Sequence, residues 1–356
     1  MSKAKTRMII AIVVAIIAAV GAAFVFDRYA LSSTYARTPD KQVSILPTYE
    51  MYDGAYPRTD VEFQLNGNTL RGHVYGANND RGLIIFRHGM FSKHQDYLPF
   101  ITAMVDKGWR VFAYDAIGCG ESDGDSMLGM SQSPIDVAAA VDYARTSGLA
   151  DGMPVALWGH SWGGYGVAAA LEKCSDVDAC VTMSGFDTPM KILDYSTTKA
   201  YGAIGKIQYP LLLLNTTIDF GAEANRSASD AVLNSGVPTL VVQGKGDTTV
   251  PYRGVSIFEA LEGRQDSARG ELVLKALDEE GRNGHNDYFY SRECQAYLNE
   301  CAAKLTALLE ENDDDPNAAA AQEYLKGVDL KKANVADPAL VDEVDAFLAA
   351  HMKKKS

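Results

Sequence analysis

Six short apolar runs, each closing on glycine or a polar residue, constrain the fold of this chain most. They are GLIIFRHG (82–89), WRVFAYDAIG (109–118), PVALWGHS (154–161), ACVTMSG (179–185), TLVVQGKGD (239–247) and ELVLKALD (271–278). Helical patterns separate them. Strands alternating with helices imply crossover connections and a mostly parallel central sheet with helices on both faces, an α/β fold. Ligands of such sheets bind beyond the carboxyl ends of the strands, so that edge is where chemistry is sought. Upstream, VEFQLNGNTLRGHVYG (61–76) places two β-rich runs around Asn66-Gly67, a hairpin pattern.

The alternation breaks twice. From Phe186 to Gly236 about 50 residues pass without a strand-like run, too many for an ordinary connection. Their content of Tyr195, Tyr201, Tyr209, Leu211–Leu214 and Phe220 predicts a helical cap insertion, residues 186–236. After Leu309 comes the acidic, then alanine-rich ENDDDPNAAAAQ, two short helical patterns and a Lys353–Lys355 tail. The expected organisation is an N-terminal segment (1–28), a connector (29–58), the α/β body (59–310) and a linker with a C-terminal helical appendage (311–356).

The N-terminal segment contains MIIAIVVAIIAAVGAAFVF (Met8–Phe26), 19 residues without a charge. As a helix it measures about 28 Å, the thickness of a bilayer core. Lys3, Lys5 and Arg7 precede it, and the positive-inside rule leaves them in the cytoplasm with the body on the other side. The expectation is an N-terminal transmembrane helix that acts as an uncleaved signal-anchor. Val20-Gly21-Ala22 and Gly21-Ala22-Ala23 keep the alternative of signal cleavage and secretion open. Both export the body.

The net charge of -13 excludes a nucleic-acid binder, which must neutralise phosphates. Of the five cysteines, Cys174 and Cys180 flank a short polar stretch that a disulfide would close in an oxidising compartment. Cys294 and Cys301 lie about 10.5 Å apart along an apparent helix, too far to bridge within it. Cys119 reads as a small buried apolar side chain.

Two G-x-S-x-G pentapeptides carry the candidate chemistry. In one, Gly159-His160-Ser161-Trp162-Gly163, the serine follows the apolar run 155–158 and precedes the small-residue helix GGYGVAAALEK. Flanking glycines let a strand turn sharply into a helix and hold the serine hydroxyl clear. In the other, Ser122 sits among glycines and aspartates with no helix behind it, and reads as loop structure. Ser161 is therefore the candidate nucleophile. A serine needs a base, and the base needs an orienting group. Downstream of Ser161 the histidines are His285, in the loop EEGRNGHND after the last strand, and His351, in a terminal helical pattern. His285 is the candidate base and Asp247, in the turn after TLVVQGKG, the candidate acid. Asp187, after ACVTMSG, is a substitute acid. The oxyanion of an acyl-transfer intermediate needs backbone N–H donors. Trp162 and Met90 are expected to supply them, with Phe91 a weaker choice than Met90. His88 is read as structural.

The segments RHGM, YDAIGCGESDG, GHSWGGYG, GKGDTTVP and NGHND together resemble the α/β-hydrolase fold, most closely its serine aminopeptidase and monoacylglycerol-lipase-like branch, over about residues 60–310. The order Ser161, Asp247, His285 matches that fold's serine–acid–histidine order. Family members usually carry an arginine where Ile117 stands. The resemblance implies a serine hydrolase without metal or organic cofactor. The expected substrate is a small-molecule carboxylic ester or acyl-glycerol, since a Tyr-rich apolar cap suits an acyl chain. Aminopeptidase-like activity, acyl transfer at the same serine and a non-catalytic binding role remain alternatives. A peptidase would need a carboxylate for the free amine, and Asp219 and Glu223 are available in the cap.

Overall fold

The computed structural model describes residues 3–37, 46–52, 54–312, 315 and 318–353. Parts of the expected connector, acidic linker and lysine tail lie outside the described residues. The chain opens with helix α1 (Lys3–Thr34), which carries the apolar run and continues beyond the expected boundary at residue 28. It is long and apolar enough to cross a membrane.

Strands β1 (Arg58–Leu65) and β2 (Asn68–Tyr75) form the expected hairpin. Asn66 and Gly67 both adopt positive φ, 50° and 82°, which matches the right-handed twist of the flanking strands. The six apolar runs become β3 (Leu83–Arg87), β4 (Arg110–Tyr114), β5 (Val155–His160), β6 (Ala179–Met183), β7 (Thr239–Gly244) and β8 (Leu272–Leu277). All eight strands join one sheet in the order β1-β2-β4-β3-β5-β6-β7-β8. β2 pairs antiparallel with β4, and the pairs from β4–β3 to β7–β8 are parallel.

Period-2 alternation divides the core between the two faces of the sheet. Leu83 and Ile85 of β3 point into one cluster, Ile84 and Phe86 into the other. Helix α2 (Leu98–Asp106) covers the second face, while α3 (Ser133–Thr146) and α4 (Trp162–Ala170) cover the first. Next come α5 (Pro189–Tyr201), α6 (Ala203–Ile207) and α7 (Tyr209–Phe220), the helices of the stretch expected as a cap. α8 (Ala228–Ser235) instead packs its Ala228, Ala231 and Val232 into the first core, beside α9 (Ile257–Leu261).

After α10 (Arg292–Glu310), α11 (Ala319–Lys326) and α12 (Leu330–Ala333), the chain ends on α13 (Pro338–His351). Within the segment expected as a linker and C-terminal helical appendage, α13 packs into the body. Its Leu340, Val341, Val344, Phe347 and Leu348 are buried in the second core, and Asp345 accepts the Trp109 Nε1–H at 2.7 Å. The start of α13 is written locally. Asp337 caps the Leu340 N–H at 2.9 Å, and Pro338 occupies the first turn, where its missing N–H costs nothing.

All five cysteines are free and buried, and the loop that a Cys174–Cys180 disulfide could close is not cross-linked. Both pack as small apolar side chains in the first core.

Beneath the carboxyl edge of the sheet lies a buried ion pair. Arg87, at the end of β3, faces Asp136 of α3 at 3.4 Å, both side chains fully inaccessible to solvent. Arg87 also donates to the His88 carbonyl at 2.8 Å and lies 4.4 Å from the centre of the Trp162 ring. Burial pushes the Asp136 carboxyl up to about 6, against the pull of the guanidinium. Removing the carboxylate leaves the guanidinium buried without its counter-ion. Asp136→Ala is therefore expected to lower stability by about 3–5 kcal/mol, measured by urea denaturation at neutral pH.

Candidate active site

Ser161 stands where β5 turns into α4. Its backbone sits at φ 58° and ψ -119°, a strained conformation for a residue with a side chain. The glycines on either side make the turn possible. A Cβ on Gly159 would lie 2.3 Å from the Gly163 carbonyl oxygen, and one on Gly163 would lie 2.1 Å from the Arg87 carbonyl oxygen. The Ser161 N–H is tied to the Met183 carbonyl at 2.8 Å, and its own carbonyl accepts the Tyr165 N–H at 2.9 Å, the first bond of α4.

Three side chains from distant segments meet there. His285 Nε2 is 2.9 Å from Ser161 Oγ, and His285 Nδ1 is 2.7 Å from Asp247 Oδ2. A carboxylate only accepts, so Nδ1 carries the proton and Nε2 is free to take one from the serine. Asp247 is held in turn. Its Oδ1 accepts the Thr249 and Val250 N–H groups, each at 2.8 Å, and Oδ2 also accepts from Gln243 Nε2 at 3.2 Å. Asp187 is engaged elsewhere, accepting from the Ser229 N–H at 3.0 Å and pairing with Lys191 at 2.8 Å. Ser122 is buried, donates to the Asp115 carbonyl at 2.6 Å and accepts the Arg71 N–H at 2.8 Å, as its reading as loop structure requires.

Met90 and Trp162 both line the cavity into which Ser161 opens. Trp162 is the first residue of α4, so its N–H has no acceptor within the helix. The Met90 loop is shaped by its neighbours. Phe91 adopts φ 57°, and the Gly89 N–H donates to the Tyr97 hydroxyl at 3.2 Å.

His88 has a structural environment. One ring nitrogen donates to the Gly89 carbonyl at 2.7 Å, and the other accepts the Ala116 N–H at 2.9 Å. Burial, reinforced by the neighbouring Arg87 charge, pulls its pKa down to about 3.

A second histidine was not singled out from the sequence. His160 Nε2 donates to the His285 carbonyl at 3.1 Å, and its Nδ1 accepts from the Tyr97 hydroxyl at 2.8 Å. The ring is buried and its pKa lies well below the ordinary histidine value, because burial and the adjacent His285 disfavour the charge. A continuous chain of hydrogen bonds thus runs from the Gly89 N–H through Tyr97 and His160 to the backbone of His285. The sequence signal was slight: a histidine at the second position of the pentapeptide, with no indication of its partner.

The cavity measures about 730 Å³ and is mostly apolar, walled by Met90, Phe91, Met130, Trp162, Phe186, Ile192, Val250 and Phe289. Its far side comes from α10 and the segment after α12, through Leu298, Asn299, Ala302 and Asn334. No group of three or more His, Cys, Asp or Glu side chains suited to a metal occurs among the described residues.

An eight-stranded, mostly parallel sheet with an antiparallel second strand, helices on both faces and a serine at a sharp strand–helix turn define an α/β-hydrolase fold. The family model described as serine aminopeptidase, S33, matches residues 78–207. The uncharacterized protein YfhR of Salmonella typhi is 25% identical over 237 residues, 65% of this chain and 74% of its own. The quorum-quenching protein AidA of Acinetobacter baumannii is 26% identical over 152 residues, 40% of this chain and 50% of its own. Among solved structures, an esterase of Pyrococcus furiosus superposes with a TM-score of 0.54 at 16% identity, covering 78% of this chain and 98% of the esterase. The family match and the fold together indicate a hydrolase of the α/β type.

The neutral histidine beneath the site gives the structure a pH signature. An unfolded histidine titrates near 6.5, whereas folded His88 takes a proton only near 3. The unfolded chain therefore binds the extra proton between these values. The stability His88 contributes is complete above about pH 6.5 and falls by about 1.4 kcal/mol per pH unit on acidification towards 3. His88→Asn retains a donor and an acceptor without titrating. It is expected to flatten this acid limb when urea midpoints are compared from about pH 7 to about pH 4.5.

Proposed function

We propose that this protein is a serine hydrolase that cleaves carboxylic esters or acyl-glycerols by two-step acyl transfer. Ser161 attacks the carbonyl carbon as His285 Nε2 takes its proton. Asp247 fixes the imidazole tautomer and stabilises the imidazolium that forms. The backbone N–H groups of Met90 and Trp162 receive the oxyanion. His285 then hands its proton to the leaving alcohol, and water releases the acyl group by the same steps in reverse roles. The observation that carries this reading is the unbroken hydrogen-bonded chain Ser161–His285–Asp247 at the floor of an apolar cavity.

Cavity chemistry favours an ester over a peptide. The cap carboxylates considered for a free amine are neutralised and lie outside the cavity. Asp219 pairs with Arg28 at 2.7 Å, and Glu223 pairs with Arg226 and Lys173. α1 supports a membrane-anchored enzyme with its body on the extracytoplasmic side, since the cations precede the apolar run.

Hydrolysis of p-nitrophenyl esters by the full chain tests the assignment. Ser161→Ala is expected to reduce kcat to background. Asp247→Asn is expected to cost up to about 10⁴ in kcat, as loss of the orienting carboxylate does in serine proteases. A far larger loss for Asp187→Asn than for Asp247→Asn would contradict the assignment of the acid.

A further inference from the structure

Helix α7 is built inside out for a helix facing water. Its buried face carries Asn215 and Thr216 beside Leu212, whereas Leu214 and Ile218, one turn apart, point outward and are 48% and 59% exposed. The inward donors bond within the helix, Asn215 Nδ2 to the Leu211 carbonyl at 3.0 Å and Thr216 Oγ1 to that of Leu212 at 2.8 Å, while the buried Asn215 Oδ1 has no partner among the described residues. Ile207, at the end of α6 just ahead, is 76% exposed. Such a distribution suits a helix whose outer face meets an apolar medium.

The position of that face is set by α1, which packs against α7. Packing begins inside the uncharged run, where Ala23 and Phe24 are half-buried, and continues through buried Asp27 to Leu31, which touches the cluster of Met190, Leu193 and Leu212. Ala23 to Leu31 spans about 12 Å of helix. α7 is therefore level with the point where α1 would leave the hydrocarbon. The joint is pinned rather than tethered. Arg28 grips both carboxylate oxygens of Asp219 at 2.7 Å. Just past α1, the Arg37 guanidinium donates to the carbonyls of Ser122, Gly124 and Gly120 at 2.8, 2.9 and 2.7 Å.

A second cavity, about 230 Å³, opens at this joint, between Leu31 of α1, Leu128, Leu193 and Phe220. The Met130 side chain borders both this cavity at the foot of the membrane helix and the cavity that Ser161 lines.

From these observations we infer that the outer face of α7, with Ile207, rests in the surface of the bilayer that α1 enters, and that the site receives its substrate from that bilayer through the joint beside Met130. The ligand class is a bilayer-resident acyl lipid. This substrate assignment rests on the ester-hydrolase reading; the membrane seat of α7 does not. The bilayer is the occupant because the apolar face adjoins a helix already long enough to span it, and because a seat fixed by Arg28 and Arg37 holds that face at one depth.

The test uses the full chain in phosphatidylcholine nanodiscs. The native cysteines are all buried, so Leu214→Cys, Ile218→Cys and a control, Asp151→Cys in the exposed turn before β5, can each be labelled with an environment-sensitive fluorophore. Spin-labelled phosphatidylcholine is expected to remove about half or more of the emission at 214 and 218 and little at 151. Emission at 214 and 218 as insensitive to the lipid quencher as at 151 overturns the proposal, and protection from both lipid and aqueous quenchers assigns the face to a protein partner instead. In parallel, Leu214→Glu/Ile218→Glu should reduce hydrolysis of a long-chain monoacylglycerol in vesicles by about tenfold or more, and leave p-nitrophenyl acetate hydrolysis within about twofold. Equal loss on both substrates overturns the access route. A wild-type chain inert on both esters while α7 is quenched by lipid refutes the hydrolase reading and retains the membrane seat.

Discussion

The contact on which the site depends is one of backbone against backbone. Gly163, in the first turn of α4, lies so close to the Arg87 carbonyl that no side chain fits between them. That approach lets α4 start directly over the end of β3, and it leaves Ser161 in a conformation most residues avoid. The strain, on the order of 1–3 kcal/mol, is tolerated because the sheet, α4 and the buried Arg87 beneath them over-determine the turn. A hydroxyl held this way needs no reorganisation before it meets the imidazole.

Around this turn the molecule supports the site from two sides. The acid is fixed by the N–H groups of its own post-strand turn, which occupy one oxygen and leave the other to His285 and Gln243. The His285 loop is held separately, through the hydrogen bonds from Gly89 by way of Tyr97 and His160. The second route joins the loop of the expected oxyanion donor to the loop of the expected base. Both loops leave the same edge of the sheet, so a few polar contacts at that edge coordinate segments more than a hundred residues apart in sequence.

Much of this was legible in the sequence. The strands declared themselves because a parallel sheet buries both faces, so each strand is an uninterrupted apolar run closed by a turn residue. Ser161 could be told from Ser122 because only one of the two pentapeptides lies between such a run and a small-residue helix. The partnership of Tyr97 with His160 was not legible, since it depends on where α2 meets the sheet. The place of α13 was also missed. Its Leu340, Val341, Val344, Phe347 and Leu348 have amphipathic spacing, but spacing does not say which surface a helix will cover, and the acidic and alanine-rich stretch before it suggested separation. The extension of α1 to Thr34 escaped for a related reason: hydropathy ends at Phe26, while the helix is continued by packing against α7.

The most direct test of the account is to map the residue that a fluorophosphonate modifies in the full chain, by peptide mass spectrometry. Covalent addition confined to the peptide carrying Ser161, and lost in His285→Ala, is the predicted result. Addition at Ser122 or another serine, or none while the chain is folded, would contradict it.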